Sequence, residues 1–291
     1  MIELAFALAL AAAAAPQSAG AVETVEVPPA CVGETFVSWQ ACADAAGEGT
    51  APYAFAMINL GTDAYVRGDF GAALRFYDQA EIPGQTVMSD VVFHAFRGDA
   101  RRRAGRTGAA VGDARLAWGY LNGQAPAGTD PRDLRPIDDG VRFVVLTAIL
   151  PALKEGQATE YDPARAMFLG LPIDPADWAG FGNRATVMMQ LGDFPAAIAD
   201  SRRAVDLQPG DPGLQNNHCY VLTMAGQAGA GLPHCERAVA LAPEVAAVRH
   251  SHAVALAGVG RCADAERQLS EARRLDAGSA LYRETLACTP A

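Results

Sequence analysis

The sequence predicts an all-α protein, a right-handed α-solenoid of stacked antiparallel helix pairs. The main observation is a pattern that occurs five times, in which one glycine is flanked by small residues at fixed offsets. The last three of these glycines follow one another at intervals of 34 residues, the period of a two-helix repeat. Abundant alanine and sparse aromatic and β-branched residues also favour helices over strands. The five glycines are Gly68, Gly105, Gly192, Gly226 and Gly260.

The small residues predict where the helices touch. They stand seven positions before each glycine, five after it and twelve after it. Because small side chains let two helix axes approach closely, we assign the first position to a leading helix and the other two to one face of its partner. The residues are Gly61, Gly98, Ala185, Cys219 and Ala253 at the first position, Ala73, Ala110, Ala197, Gly231 and Ala265 at the second, and Ala80, Ala117, Ala204, Ala238 and Ala272 at the third.

Other residues predict the helix ends. Each glycine marks the turn between two helices, since the residue that ends a helix often needs a left-handed backbone. Asp69 and Asp193 follow their glycines directly and are expected to cap the incoming helix. Pro209 and Pro243 end the second helices of their units, because proline offers no amide donor for a further turn.

This register resembles that of the tetratricopeptide repeat proteins. In one unit Phe181 stands at the family's large aromatic position, and Pro209 stands at its proline position. Ala185, Gly192, Ala197 and Ala204 stand in order at the small and turn positions between them. The resemblance covers residues 54–87, 91–124 and 178–279. Three departures stand out: a spacing of 37 residues between the first two units, Arg101 at a position that is usually apolar, and Ala277 in place of proline.

The chain is expected to form one extended domain, since a solenoid grows by stacking. Residues 1–21 predict a signal peptide, an apolar stretch cleaved after Ala21. The alternative is an uncleaved anchor, because the leading end has Glu3 and no lysine or arginine. The remaining segments are an N-terminal linker with a short helix (22–50), units one and two (51–124), a middle segment (125–177), and units three to five with a C-terminal capping helix (178–291).

The repeat register lapses in the middle segment. We expect a helix from Asp139 to Glu155, interrupted by Pro151, and a second helix from Asp162 to Leu169. Asp138 and Asp139 are interpreted as a helix start and not as a catalytic pair. The favoured interpretation is a degenerate repeat pair that keeps the stack continuous, because a structureless loop of this length is uncommon in a compact domain. The alternative is an insertion that carries specificity.

The six cysteines form three local pairs: Cys31 with Cys42, Cys219 with Cys235, and Cys262 with Cys288. In the repeat register Cys219 and Cys235 face one another within one unit, and Cys262 begins a helix beside which a final helix carrying Cys288 should run antiparallel. Disulfides indicate export. Packed free thiols are an alternative, and so is a zinc site made by the doublets His218-Cys219 and His234-Cys235. Adjacent helical side chains point about 100° apart, however, which disfavours one shared ion.

Composition and motifs narrow the function. A net charge of −10 argues against nucleic acid as the main partner, because phosphate binding needs a basic surface. The sequence contains no phosphate-binding loop, metal-binding motif or nucleophile motif, so we expect no enzyme, no cofactor and no metal.

The resemblance implies a concave groove lined by the first helices, which binds a protein or peptide partner. Arg102 or Arg103 would be free to meet a carboxylate. The alternative for these positions is simple exposure or packing between units. A further set, Asn59, Asn183 and Asn217, is interpreted as structural asparagines that tie neighbouring units together. The candidate groove residues are Phe55, Tyr65, Arg102, Arg103, Met189, Asn216, Tyr220 and His250.

The sequence therefore predicts a non-enzymatic scaffold that is periplasmic or secreted and has no membrane insertion after signal cleavage. The alternatives are a cell-envelope assembly or structural component and an accessory subunit of an enzyme complex.

Overall fold

The computed structural model describes residues 27–32, 38–80, 91–124, 137–283 and 285–289. The predicted signal peptide lies outside the described residues, and so do residues 125–136 of the middle segment. Secondary structure in the described residues is helical throughout. No helix among them is long and apolar enough to cross a lipid bilayer.

The chain divides into two compact units, with the boundary after Leu171. The sequence, in contrast, predicts one extended domain. Pro172 and Pro175 lie in the non-helical segment at this boundary and prevent a helix from continuing. The N-terminal unit contains α1 (Trp39–Ala46), α2 (Ala51–Val66), α3 (Phe70–Gln79), α4 (Val91–Arg103), α5 (Thr107–Leu121), α6 (Asp139–Glu155) and α7 (Tyr161–Gly170). The C-terminal unit contains α8 (Trp178–Gln190), α9 (Phe194–Leu207), α10 (Pro212–Met224), α11 (Ala228–Leu241), α12 (Ala246–Gly258) and α13 (Cys262–Leu275).

Within each unit the helices pack as consecutive pairs. In the N-terminal unit α2 packs on α3 and α4 on α5, and α6 then packs against both helices of the second pair and against α7. The described part of the middle segment therefore contains a pair of helices. Pro151 is accommodated inside α6, and the Asp138 carboxylate accepts a hydrogen bond from Val141 N at 2.8 Å. In the C-terminal unit α8–α9, α10–α11 and α12–α13 form three pairs, and α10 also contacts α8 and α12.

The five turns have one geometry, as the sequence predicts. Each turn glycine has a positive φ between 70° and 79°. In each turn the residue after the glycine donates its N–H to a carbonyl five positions earlier, as Asp69 N does to Ala64 O at 2.9 Å. This bond is the defining feature of the Schellman helix ending.

The prediction for the two capping aspartates is half right. Asp69 accepts a hydrogen bond from Ala72 N at 2.9 Å, but the Asp193 side chain does not cap α9. Pro195 at the start of α9 removes one of the amide donors that a capping carboxylate uses.

All fifteen small positions of the repeat are buried, at the helix contacts where the sequence predicts them. At Gly61 the backbone of α2 lies against the aromatic ring of Tyr77. A Cβ at this position would stand only 2.5 Å from Cε1 of that ring. Tyr77 has no exposed surface, and its ring packs edge-on against Phe93 at 5.5 Å. The ring therefore has little room to move.

We expect Gly61→Ala to lower the free energy of unfolding by about 1–3 kcal/mol, since the added methyl group overpacks the Tyr77 ring. Urea unfolding followed by circular dichroism measures this change. The matched control is Gly112→Ala on the exposed side of α5, where a Cβ meets nothing within 4 Å. That substitution should stabilise the helix by about 0.5–1 kcal/mol, because it only removes the conformational freedom of glycine. Equal stabilities of the two variants would contradict the packing described here.

Candidate binding surface

In the N-terminal unit, three predicted groove residues, Tyr65, Arg102 and Arg103, lie around one buried carboxylate. Asp99 on α4 is 2% exposed and accepts a hydrogen bond from the Tyr65 hydroxyl at 2.6 Å. Arg102 donates to the same carboxylate from two nitrogens, at 2.8 and 2.9 Å. Arg103 Nε donates to it at 2.6 Å, and its guanidinium lies over the Phe70 ring.

The sequence predicts that Arg102 or Arg103 is free to meet a carboxylate of a partner. In the structure both arginines are already bound to Asp99. Arg102 also donates to Glu155 on α6 at 2.9 Å, so its charge is shared between two carboxylates. Burial and the charge of Asp99 raise the pKa of Tyr65 well above its ordinary value, which keeps the hydroxyl protonated as a donor. The network joins α2, α4 and α6, and we interpret it as a structural network that holds these helices together.

Phe55 and Asn59 lie at the other end of α2. Phe55 is exposed on one side and meets the Trp39 ring edge-on at 5.4 Å. Asn59 is buried and donates to Phe55 O within the same helix at 2.8 Å. That hydrogen bond is internal to α2, whereas the sequence predicts one that ties neighbouring units.

The first helices α8 and α10 of the C-terminal unit present a surface of a different kind. We call it the uncharged face. Its members stand two, three, six or ten positions before the turn glycine, and none of them carries a formal charge. The members are Gly182, Thr186, Met189, Asn216, Tyr220, Thr223 and Met224. Met189, Asn216 and Tyr220 are half-buried and Met224 is 47% exposed.

Hydrogen bonds within the helices make this face more apolar than its composition indicates. Thr186 donates its hydroxyl to Gly182 O at 3.0 Å, and Thr223 donates to Cys219 O at 2.9 Å. Both hydroxyls are therefore occupied by their own helix. Asn216 is different, because its Oδ1 is buried and has no hydrogen-bond partner among the described residues. A buried acceptor without a donor costs about 1–3 kcal/mol.

His250 on α12 is 7% exposed and does not belong to this open surface. The Tyr282 ring packs against it with 5.3 Å between ring centroids. Tyr282 belongs to a single 3-10 turn, Leu281–Arg283, and residues 285–289 after it are not helical. The predicted capping helix is therefore wrong in secondary structure. Arg273 on α13 donates to Tyr282 O at 2.7 Å and uses the carbonyl that a longer helix would need.

The cysteines pair as predicted, at Cα–Cα distances of 4.6 Å for Cys31–Cys42, 5.3 Å for Cys219–Cys235 and 5.6 Å for Cys262–Cys288. At the second pair the structure thus has the geometry of the disulfide, and not that of two separate thiols or of a shared zinc site. His218 is instead hydrogen-bonded through Nδ1 to Ser201 Oγ, and His234 through Nδ1 to Gln215 Oε1, each at 2.8 Å. No cluster of metal-binding side chains occurs among the described residues.

A set of partly or fully buried partners recurs within the helix pairs, and it was not predicted from the sequence. The two partners stand eight positions before and eight after the turn glycine, one on each helix. Arg97 pairs with Asp113, whose Oδ1 lies 2.6 Å from Nη2, and Arg184 pairs with Asp200 at 2.7 Å. In the α10–α11 pair the same two positions hold His218 and His234, with ring centroids 4.6 Å apart. In each pair the two residues are 16 positions apart in the sequence, and this constant spacing is the signal that could have predicted them.

Comparisons with known proteins bear on the fold. No protein-family model and no curated protein matches the chain. Among solved structures, a tetratricopeptide repeat protein from Parabacteroides merdae is similar over 79% of this chain and 82% of its own, with 14% identity and a TM-score of 0.52. YrrB, a TPR protein with an unusual peptide-binding site, matches over 79% of this chain and 89% of its own, with 16% identity and a TM-score of 0.35. The first of these similarities and the repeated turn geometry agree: the chain has the tetratricopeptide repeat fold.

Proposed function

We propose that this protein is a non-enzymatic scaffold in an exported compartment, most simply the periplasm, and that it binds a protein or peptide through the uncharged face. The observation that carries the proposal is the contrast between the two units. The charged groove residues of the N-terminal unit are already bound to one another in ion pairs. The groove residues of α8 and α10 carry no charge and form no ion pairs.

The side chains of the uncharged face suit a partner with little charge. Met189, Met224 and Tyr220 offer polarizable, partly exposed apolar surface, and methionine adapts its shape to different ligands. Rotation of the Asn216 amide toward a donor on the bound chain would give Oδ1 the hydrogen bond that it lacks. An extended peptide supplies such donors through its backbone N–H groups.

The disulfides support export. Three cysteine pairs at bonding distance are typical of proteins from oxidising compartments and rare in the cytosol. They use all six cysteines of the chain. Thiol counting of protein purified from its own compartment, before and after reduction, tests this part of the proposal. Six reactive thiols before reduction would contradict it.

Peptide display on the intact protein, followed by fluorescence anisotropy, tests the binding face. We expect selection of neutral peptides rich in apolar residues, with affinity that changes little between low and high salt, because exposed charges would be screened and this face has none. The double variant Tyr220→Ala/Met224→Ala should weaken binding about tenfold or more, the usual effect of removing anchor residues.

The matched control is Leu241→Ala on α11, which removes an apolar side chain of similar exposure from a second helix. It should leave peptide affinity unchanged. If the double variant binds as well as the native protein, or if Leu241→Ala weakens binding equally, the uncharged face is not the binding site.

A further inference from the structure

The last helix pair of the C-terminal unit is covered by a short segment that one disulfide fastens. We call residues 281–283 and 285–289 the C-terminal strap. Tyr282 lies in a buried cluster with Ala253, Leu269 and Ala272, and it is 6% exposed. Leu286 packs against the same cluster. The strap therefore lies on both α12 and α13.

Apart from the Tyr282 cluster, few contacts hold the described residues of the strap in place. Leu286 and Cys288 pack against a second cluster, formed by Leu256, Ala257 and Ala265. Among the described residues, the polar contacts of the strap include the bond from Arg273 to Tyr282 O, the bonds from Arg283 to carbonyls just before it, and a contact of 3.6 Å between Cys288 Sγ and Ala257 O. One side chain in a buried position and a few hydrogen bonds hold a non-helical segment weakly, so the Cys262–Cys288 bond supplies much of the constraint.

The three disulfides differ in how far solvent reaches them. Cys219 and Cys235 are both 0% exposed, and Cys42 is fully buried beside a partly exposed Cys31. Cys262 and Cys288 are both partly exposed. Thiol–disulfide exchange needs access of a thiolate to one sulfur, so an external dithiol reaches the strap disulfide far more easily than the buried one.

The position of Cys262 determines which of the two sulfurs is attacked in the exchange. It is the first residue of α13, a 14-residue helix, and the helix N-terminus stabilises a thiolate there. The neighbouring Arg261 is paired with Asp264, so these two charges largely offset one another. Cys262 is therefore the better leaving group, and attack falls on Cys288 Sγ.

We infer that the C-terminal strap is a redox-releasable cap: a dithiol reductant opens Cys262–Cys288 while Cys219–Cys235 stays closed, and the strap then leaves α12 and α13. In the first step a reductant thiolate bonds to Cys288 Sγ, the Cys262–Cys288 bond breaks, and Cys262 leaves as a thiolate. In the second step the reductant's other thiol, after losing its proton, closes a disulfide within the reductant and releases Cys288. The reductant is oxidised by two electrons, and its two protons end on the two cysteines.

Release of the strap uncovers the apolar residues beneath it and separates Tyr282 from His250. It is a local change, because the α10–α11 pair keeps its own buried disulfide. This device does not depend on which ligand the uncharged face binds.

Partial reduction of the full chain with dithiothreitol, alkylation with iodoacetamide and peptide mass spectrometry test the inference. We expect Cys262 and Cys288 to be labelled at least about tenfold faster than Cys219 and Cys235. Hydrogen exchange on the partly reduced protein should rise in α12 and α13 and stay unchanged in α10. Simultaneous labelling of the two pairs would overturn the proposal. So would unchanged exchange in α12 and α13 once Cys262–Cys288 is open.

Two variants separate strap release from general unfolding. Cys288→Ser should give the same exchange pattern without any reductant, whereas Cys31→Ser should leave α12 and α13 protected. If Cys288→Ser does not fold, Tyr282→Ala provides the test, because it loosens the strap with the disulfide intact. That variant should lose Cys262–Cys288 to dithiothreitol several times faster than the native protein, roughly in proportion to the strap's open fraction. An unchanged rate would overturn the proposal.

Discussion

We expect Asp113→Ala to destabilise the protein by about 3–5 kcal/mol, the usual cost of removing one partner from a buried ion pair. Asp113 is 2% exposed and accepts hydrogen bonds from Arg97 Nη2 at 2.6 Å and from Arg101 Nη1 at 2.7 Å. Burial alone would raise the pKa of Asp113, but interactions with His94 and with the two guanidiniums outweigh burial and hold it below its usual value. Without the carboxylate, Arg97 stays buried at 5% exposure and loses the carboxylate that lies 2.6 Å from its Nη2.

Urea unfolding of the full chain measures the loss, and hydrogen exchange in α4 and α5 locates it. Glu160→Ala is the matched control, because it removes a carboxylate from the exposed Arg115–Glu160 pair of the same unit. It should cost less than about 1 kcal/mol.

The double variant Arg97→Met/Asp113→Leu should be more stable than Asp113→Ala, since apolar pairs often replace buried ion pairs with little loss. Arg101 keeps a partner in that variant, because its Nη2 lies 3.5 Å from Asp78. If Asp113→Ala costs no more than Glu160→Ala, the ion pair is not the structural element described here.

Much of the fold followed from the sequence because it depends on residue size at fixed spacing. A close helix contact tolerates only a small side chain, so the fifteen small positions marked the contacts and the five glycines marked the turns. The same register also contained the buried pairs. Arg97 and Asp113 are 16 residues apart, as are Arg184 and Asp200, but a spacing search confined to small residues does not find them.

The candidate site was harder to predict, because it depends on which side chains bind one another. Asp99, Arg102 and Arg103 stand at helical spacings of three and four, which favour ion pairs along one helix. Reading the arginines singly made them appear available to a ligand. The covering of His250 by Tyr282 could not be predicted from the repeat, because the strap departs from the repeat in both its conformation and its sequence.

The histidine pair predicts a loss of stability in mild acid. His218 is 5% exposed, and its pKa falls from 6.5 to about 4, chiefly through burial and then through the charges of His234 and Arg202, with Asp206 acting in the opposite sense. Burial also lowers the pKa of His234. A histidine that is neutral when folded binds a proton more readily when unfolded, so acid favours the unfolded state.

The sign and the pH window follow from these values. The contribution of His218 to stability is fully present above pH 6.5 and is lost as the pH falls from 6.5 to about 4. The loss amounts to about 3 kcal/mol, because each pH unit in this window corresponds to about 1.4 kcal/mol for one proton. Urea unfolding at a series of pH values measures it.

His218→Asn isolates this residue from the carboxylates that also titrate in acid. Asparagine can keep a hydrogen bond to Ser201 Oγ but takes up no proton, so the variant should lose less stability than the native protein between pH 6.5 and 4. The difference between the two curves belongs to His218 and to its coupling with His234, whose ring stands 4.6 Å away. If the stability curves of the native protein and the variant are parallel over that range, His218 takes up its proton equally in the folded and unfolded states. Burial of His218, on α10, against α9 and α11 would then not set its protonation.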